Sequence, residues 1–437
     1  MTIPVVTVGH TEEDMVGGLE RLHGPVTVVR RCGELAELLA ACQSGLARAA
    51  VVAGSTEELT ATLVDRLAAV GVSVVALTSD SAEDARLRGI GVVTSPLDVD
   101  PADLAVRIAD SVGQLPGLTR GRPDMRESGF SDIAVELRPS VAERESLPAP
   151  SGNGRIVAVW GPAGAPGRTL VAVNIAAELM AEGRSVILVD ADSYGASVAA
   201  SLGLLDESAG LAQACRLADQ GMLDADSLTR IAAHVFTKKG SFRVLTGITR
   251  ADRWTELRAS ALSAVLERAR EIAEIVVIDS GFCLEADEEL SFDNMAPRRN
   301  AATLRSLEMA DTLYAVGAAD AVGIPRLVRG LAELGLAVPQ AAPRVVLNKV
   351  RASSVGRAPE RQLREAWERY GPGAAIETFL PTDAEACDAA LLSGSVLFEA
   401  AAESPLRHAI AEMVCASDQQ NRRSSVFSAR AGRRLKR

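Results

Sequence analysis

Residues 156–183 constrain the fold more than any other part of the chain: IVAVW, then GPAGAPGRT, then LVAVNIAAELMAEG. The unbroken apolar run describes a strand covered on both faces, because a strand with one wet face alternates. The glycine-rich turn closes on a basic residue and a hydroxyl, Arg168 and Thr169, and leads straight into an apolar helix. Such a turn aims backbone N–H groups and a helix N-terminus at one point, which suits a phosphate. The plainer alternative is that Gly164 and Gly167 only permit a tight strand-to-helix turn around an empty loop. Either way the strand requires helices on both sides, hence an α/β fold on a parallel sheet. Composition agrees, since 48% of the residues are hydrophobic but only 3% aromatic, leaving Ala, Val, Leu and Ile to build the core. A chain of 437 residues holds two or three domains at ~150 residues each. This composition excludes a fibrous or wholly disordered chain.

Downstream segments repeat the pattern of an apolar strand with polar residues at its end. VILVDADSYGASV ends its strand at Asp190 and Asp192, and EIVVIDSGF places Asp279 at the end of another. A strand-end carboxylate beside a phosphate loop suits a magnesium ion. VVLNKV sets Asn348 and Lys349 after a further strand, and LPTDAEACDAALLSG follows the last one. The plainer alternative for Asp190 and Asp192 is a pair of solvent-facing strand-end acids, which the order of the segments disfavours, while Asn348 alone reads equally as a turn residue.

Taken in order, these segments resemble the MinD/ParA superfamily of P-loop ATPases, over nearly all of residues 155–415. The resemblance implies a doubly wound parallel sheet, ATP with Mg2+ as cofactors, and a homodimer. It also assigns roles. The family's KGGxGKT loop aligns with residues 163–169, so Gly164, Gly167, Arg168 and Thr169 hold phosphates, with Thr169 and Asp279 at the metal. Asp192 matches the aspartate that positions the attacking water, Asn348 the asparagine that reads adenine, and Pro381 to Asp383 the loop beside the base. The departures carry equal weight. The phosphate-bridging lysine is Arg168, whose planar fork does not occupy a compact ammonium's position. The lysine that reaches across the family's dimer is Ala163. Pro162 and Pro166 remove two N–H groups. Phosphoryl transfer depends on charge placement, so these losses imply slow hydrolysis or none.

Residues 1–115 alternate strands (Val5–Gly9, Val26–Val29, Ala49–Gly54, Val72–Thr78, Gly91–Pro96) with amphipathic helices. Thr11 to Asp14 and Ser55 to Glu58 each set a hydroxyl three residues before an acid, a helix-start signal. Element order and size resemble the receiver domain of response regulators, a flavodoxin-type sheet. The receiver's phospho-accepting aspartate is missing, since the third strand ends Val52, Ala53, Gly54, and Ser95 replaces the lysine before Pro96. Glu12 and Glu13 imitate an acidic metal pair, but read more simply as first-turn acids serving a helix dipole. A receiver-like domain before such an ATPase domain resembles the CpaE/TadZ branch, a localisation factor for pilus assembly.

Residues 116–154 are rich in Pro, Gly, Ser and Arg and read as a flexible linker, with Ile133–Leu137 as a short docking strand. Residues 155–417 form the ATPase-like domain and 418–437 a tail. The net charge is −11, yet residues 421–437 carry seven Lys/Arg and no acid, so the rest of the chain stands at −18 once those seven are removed. An acidic body argues against sequence-wide nucleic-acid binding. The tail is either a disordered basic segment or a dock on anionic lipid or DNA phosphates.

No apolar run approaches the ~20 residues that cross a bilayer, and the start lacks the basic region of a signal peptide. Six cysteines without CxxC spacing read as buried hydrophobes in a reducing, cytoplasmic compartment. Four histidines share no ligand spacing. Glu285, Asp287, Glu288 and Glu289 read as a solvated face, Arg298 and Arg299 as a phosphate, partner or surface contact, and Trp254 as a packing anchor. The leading expectation is a spatial scaffold of the CpaE/TadZ type that binds ATP. An active ParA- or MinD-type ATPase in chromosome partition or septum placement stands beside it, as does a scaffold that binds no nucleotide.

Overall fold

The computed structural model describes residues 2–9, 15–22, 24–54, 56–115, 154–204, 209–286 and 298–416. Thr11, Glu12, Glu13, Asp14, Ser55, the Ile133–Leu137 segment, Asp287 to Glu289 and the basic tail lie outside them. The chain divides into two compact units between Ala149 and Pro150.

The N-terminal unit is a five-stranded, all-parallel sheet built from β1 (Ile3–Gly9), β2 (Val26–Cys32), β3 (Ala49–Ala53), β4 (Ser73–Leu77) and β5 (Val93–Ser95). Its order is β2-β1-β3-β4-β5, the flavodoxin-type winding. Central β3 and β4 are buried at every position, as continuous apolar runs require. β2 runs three residues beyond the expected Val29. As an edge strand it tolerates the exposed Arg30 and Arg31, which pair with Glu37 and Glu20. After β3 comes a single 3-10 turn, Thr56–Glu58, rather than a helix start. The α-helix begins at Ala61, where the Thr60 hydroxyl accepts from Leu63 N at 3.3 Å.

The C-terminal unit carries eight strands: β6 (Arg155–Trp160), β7 (Val186–Ala191), β8 (Ala233–Thr237), β9 (Gly240–Leu245), β10 (Ile275–Ser280), β11 (Thr312–Ala318), β12 (Pro343–Val350) and β13 (Ile376–Pro381). The order is β13-β12-β11-β6-β10-β7-β9-β8, parallel except for β8 against β9. That edge hairpin is absent from the sequence reading, because β8 is short and half exposed. Alternation along β6 feeds two cores, with Ile156, Ala158 and Trp160 on one face and Val157 and Val159 on the other. Gly154, placed in the linker by sequence, already belongs to this unit, since its N–H donates to Arg270 O at 2.9 Å.

The helix after the glycine loop, Arg168–Ala181, is buried at ten successive positions, Val171 to Met180. A helix buried on all sides must satisfy its polar residues internally. Asn174 accepts from Leu397 N at 2.9 Å, and Glu178 receives a two-pronged bond from Arg407 at 2.6 and 2.9 Å. The C-terminal segment thereby clamps the helix that fixes the loop. No helix among the described residues is long and apolar enough to cross a membrane.

Candidate functional site

β6 and β11 are neighbours, yet the chain leaves β6 toward β7 and leaves β11 toward β12, on opposite sides of the sheet. The crevice at their C-terminal ends is the switch point where open α/β sheets take ligands. The glycine loop, residues 161–167, lies there. Gly164 and Gly167 have φ of +112° and +98°, and Ala165 joins them at +52°. Three left-handed positions within four residues curl the backbone tightly, and a non-glycine residue held there marks stored strain. Gly167 is required twice over, because a Cβ would stand 2.4 Å from the Asn348 amide nitrogen.

At the head of the helix, the Thr169 hydroxyl donates to Asp279 Oδ2 at 2.6 Å and lies 3.1 Å from the Ser197 hydroxyl. Asp279 stands in register with Asp190 across β10 and β7, and both are 1% exposed. Asp190 accepts from the backbone N–H groups of Val198 at 3.0 Å and Asp192 at 3.3 Å. Burial pushes its carboxyl up to about 7 despite those bonds, with the Asp192 charge adding to the rise. Asp279 is raised well above the carboxylate range, first by burial and then by Asp190, while Thr169 and Arg168 pull the other way. Its Oδ1 is buried without a partner. An orphaned carboxylate oxygen beside a serviced hydroxyl and a second buried acid is a donor set suited to a hydrated Mg2+.

Arg168 does not reach into the mouth of the loop. Its Nη1 donates back to the Gly161 and Pro162 carbonyls at 3.2 and 3.3 Å, and its Nη2 pairs with Asp192 Oδ2 at 3.2 Å. The guanidinium also lies 5.9 Å from the Phe282 ring centre, and Phe282 packs on Tyr194 at 4.8 Å. Arg299 lies over the Tyr194 ring at 4.1 Å. The sequence reading missed this aromatic bridge. Its signal was available: aromatics make up only 3% of the chain, and two stand just after strand-end acids.

Asn348 donates to Pro166 O at 2.8 Å, and Lys349 Nζ to Ala165 O at 2.8 Å, so the end of β12 braces the loop from outside. Lys349 itself has φ of +60°. Pro381 ends β13 opposite Val350. The structure therefore gathers Gly164, Gly167, Arg168, Thr169, Asp192 and Asp279 around one loop, with Asn348 spent on that loop's backbone. Trp254 packs against the main core as expected. Of the six cysteines, all free, Cys32, Cys42 and Cys215 are buried and the other three are partly exposed.

No protein-family model matches this chain, and no curated protein does. Solved structures do. The cell division ATPase MinD of Pyrococcus furiosus is similar at 18% identity and a TM-score of 0.47, over 61% of this chain and 99% of that one. The septum site-determining protein MinD of Pyrococcus horikoshii, solved with Mg-ADP, gives 17% identity and 0.47 over 61% and 97%. A ParA family ATPase from Chlorobium tepidum gives 17% and 0.47 over 60% and 98%.

Proposed function

We propose that the C-terminal unit binds an adenine nucleotide with magnesium at the β6–β11 crevice and works as a nucleotide-responsive scaffold with little or no turnover. One observation carries this reading. The binding parts are assembled, with a curled glycine loop, Thr169 on Asp279 and an orphaned carboxylate oxygen. The transfer parts are withdrawn, because Arg168 is spent on Asp192 and two loop carbonyls.

In this reading the loop N–H groups and the helix N-terminus hold phosphates, and Thr169 and Asp279 hold Mg2+, which neutralises phosphate charge when bound. Pro381 flanks the base, and Asn348 reaches it only by releasing Pro166 O. Asp192 orients a water only after Arg168 lets go of it, and an arginine there is a poor replacement for a phosphate-bridging ammonium. Losing one well-placed charge donor costs ~3 kcal/mol, or ~10² in rate. The scaffold reading extends to a CpaE/TadZ-like spatial role in pilus assembly. A second copy of the chain is its first partner, and the seven cations of residues 421–437 contact an anionic surface.

Calorimetry of the full chain with Mg-ATP at millimolar concentration tests the reading. Heat of binding in the wild type, lost in Asp279→Ala, supports it, and silence in the wild type returns the loop to an empty turn. Brisk hydrolysis abolished by Arg168→Ala would instead make Arg168 a catalytic residue and favour the active ATPase.

A further inference from the structure

Among the described residues, three cations touch the glycine loop, and two are already committed. Arg168 serves Asp192 and the loop carbonyls, and Lys349 serves Ala165 O. The third is Arg326, in the first turn of the helix Gly323–Ala337 that leaves β11. A Cβ on Gly164 would stand 2.4 Å from its Nη1. The guanidinium therefore rests on the loop itself, beside Ala163, and only glycine at 164 lets it come so close.

No described residue hydrogen-bonds or ion-pairs with the Arg326 side chain. The acid that lines the same cavity, Asp320, is spent on its own helix start, accepting from Val322 N at 3.0 Å and Gly323 N at 2.7 Å. Those bonds, the Gly323 N–H first, hold its carboxyl below its usual range. Beside them lies a cavity of about 90 Å³, walled by Pro162, Ala163, Gly164 and Pro166 on the loop side and by Asp320 and Arg326 on the other. It opens at the switch point and has room for a phosphate group with its waters. The two prolines give this stretch of loop fewer N–H donors, so an anion here depends on a side chain for its charge.

We propose that Arg326 is a phosphate-binding residue, supplying from the neighbouring helix, within the same chain, the cation that the loop lacks at Ala163. This rests on the nucleotide reading above and names a residue that reading does not use. The ligand class is a polyphosphate carried by the loop, and the planar guanidinium offers it two parallel donors. Gly164 is the positioning residue that grants Arg326 its place.

The full chain, titrated calorimetrically with Mg-ATP, with AMP and with inorganic tripolyphosphate, tests this. Arg326→Gln should weaken Mg-ATP and tripolyphosphate by about tenfold and AMP by less than about twofold. It should also lower the salt dependence of ATP binding and leave the melting temperature unchanged. Arg326→Lys should recover part of the loss, and Gly164→Ala, which displaces the guanidinium, should weaken ATP as well. Wild-type affinity in Arg326→Gln overturns the proposal, as does an equal loss for AMP and ATP. A wild type that binds none of the three ligands sinks the underlying reading and this inference with it, a result distinct from binding that ignores Arg326.

Discussion

The two units build the same kind of crevice and furnish it in opposite ways. In the N-terminal unit the switch point falls between β1 and β3, whose tips are Gly9 and Ala53. A Cβ on Gly9 would stand 1.5 Å from Ala53 O, so the two strand ends lie in close contact. The described buried polar residues of this unit are all Ser or Thr. Among its described residues the C-terminal unit buries four acids, Glu178, Asp190, Asp192 and Asp279. Parallel winding supplies a crevice, but only costly buried charge turns it into a site.

The sharpest break of this comparison is Gly9→Ala. With φ at +91° and backbone in the way, it should cost the N-terminal unit about 3 kcal/mol or more. Hydrogen exchange should show residues 2–115 opening while Mg-ATP binding persists. Loss of that binding would mean that nucleotide binding depends on the fold of the N-terminal unit.

A smaller effect, of opposite sign in the two units, comes from pH. Burial pushes the Asp190 carboxyl up from 3.8 to about 7 in the folded protein. The folded protein then binds more protons between those values, so nucleotide-free stability of the C-terminal unit loses the Asp190 contribution as pH rises from ~4 to ~7. Asp190→Asn should flatten the slope. In the N-terminal unit Glu37 is lowered, first by the Gly33 N–H and then by Arg30, and Glu83 by Arg86. Their contribution is present above the ordinary carboxylate pKa and lost on acidification. The pH dependence that Asp190→Asn removes from the C-terminal unit and the one that Glu37→Gln removes from the N-terminal unit should therefore tilt in opposite directions in melting curves. Parallel tilts would erase the distinction.

The smallest effect is at Ser95, where the family of resemblance keeps a lysine. Its hydroxyl is buried without a partner, so Ser95→Ala should stabilise the N-terminal unit by ~1 kcal/mol in urea titration. Destabilisation would show that the hydroxyl serves an unseen contact.

Much of this was legible in the chain. The apolar runs at 49–53, 73–77 and 156–160 are buried strands where their periodicity places them. The strand-end positions of Asp190 and Asp279 follow from the same pattern. Edge elements were harder. β2 outran its apolar stretch because one free edge accepts arginines, and the β8–β9 hairpin carries too little buried surface to leave a strong pattern.

Local sequence by itself determined which residues form strands, where the loop turns, and that the N-terminal crevice lacks an acceptor acid. These are properties of neighbours along the chain, set by periodicity, glycine and the identity of strand-end residues. Only the tertiary structure decided that Arg168 folds back on Asp192, 24 positions away, that Asn348 braces Pro166 from 182 positions away, and that Arg326 lies on Gly164. Those contacts arise because parallel winding brings the C-terminal ends of distant strands to one edge. A charge's partner there is set by strand order, which no local pattern encodes.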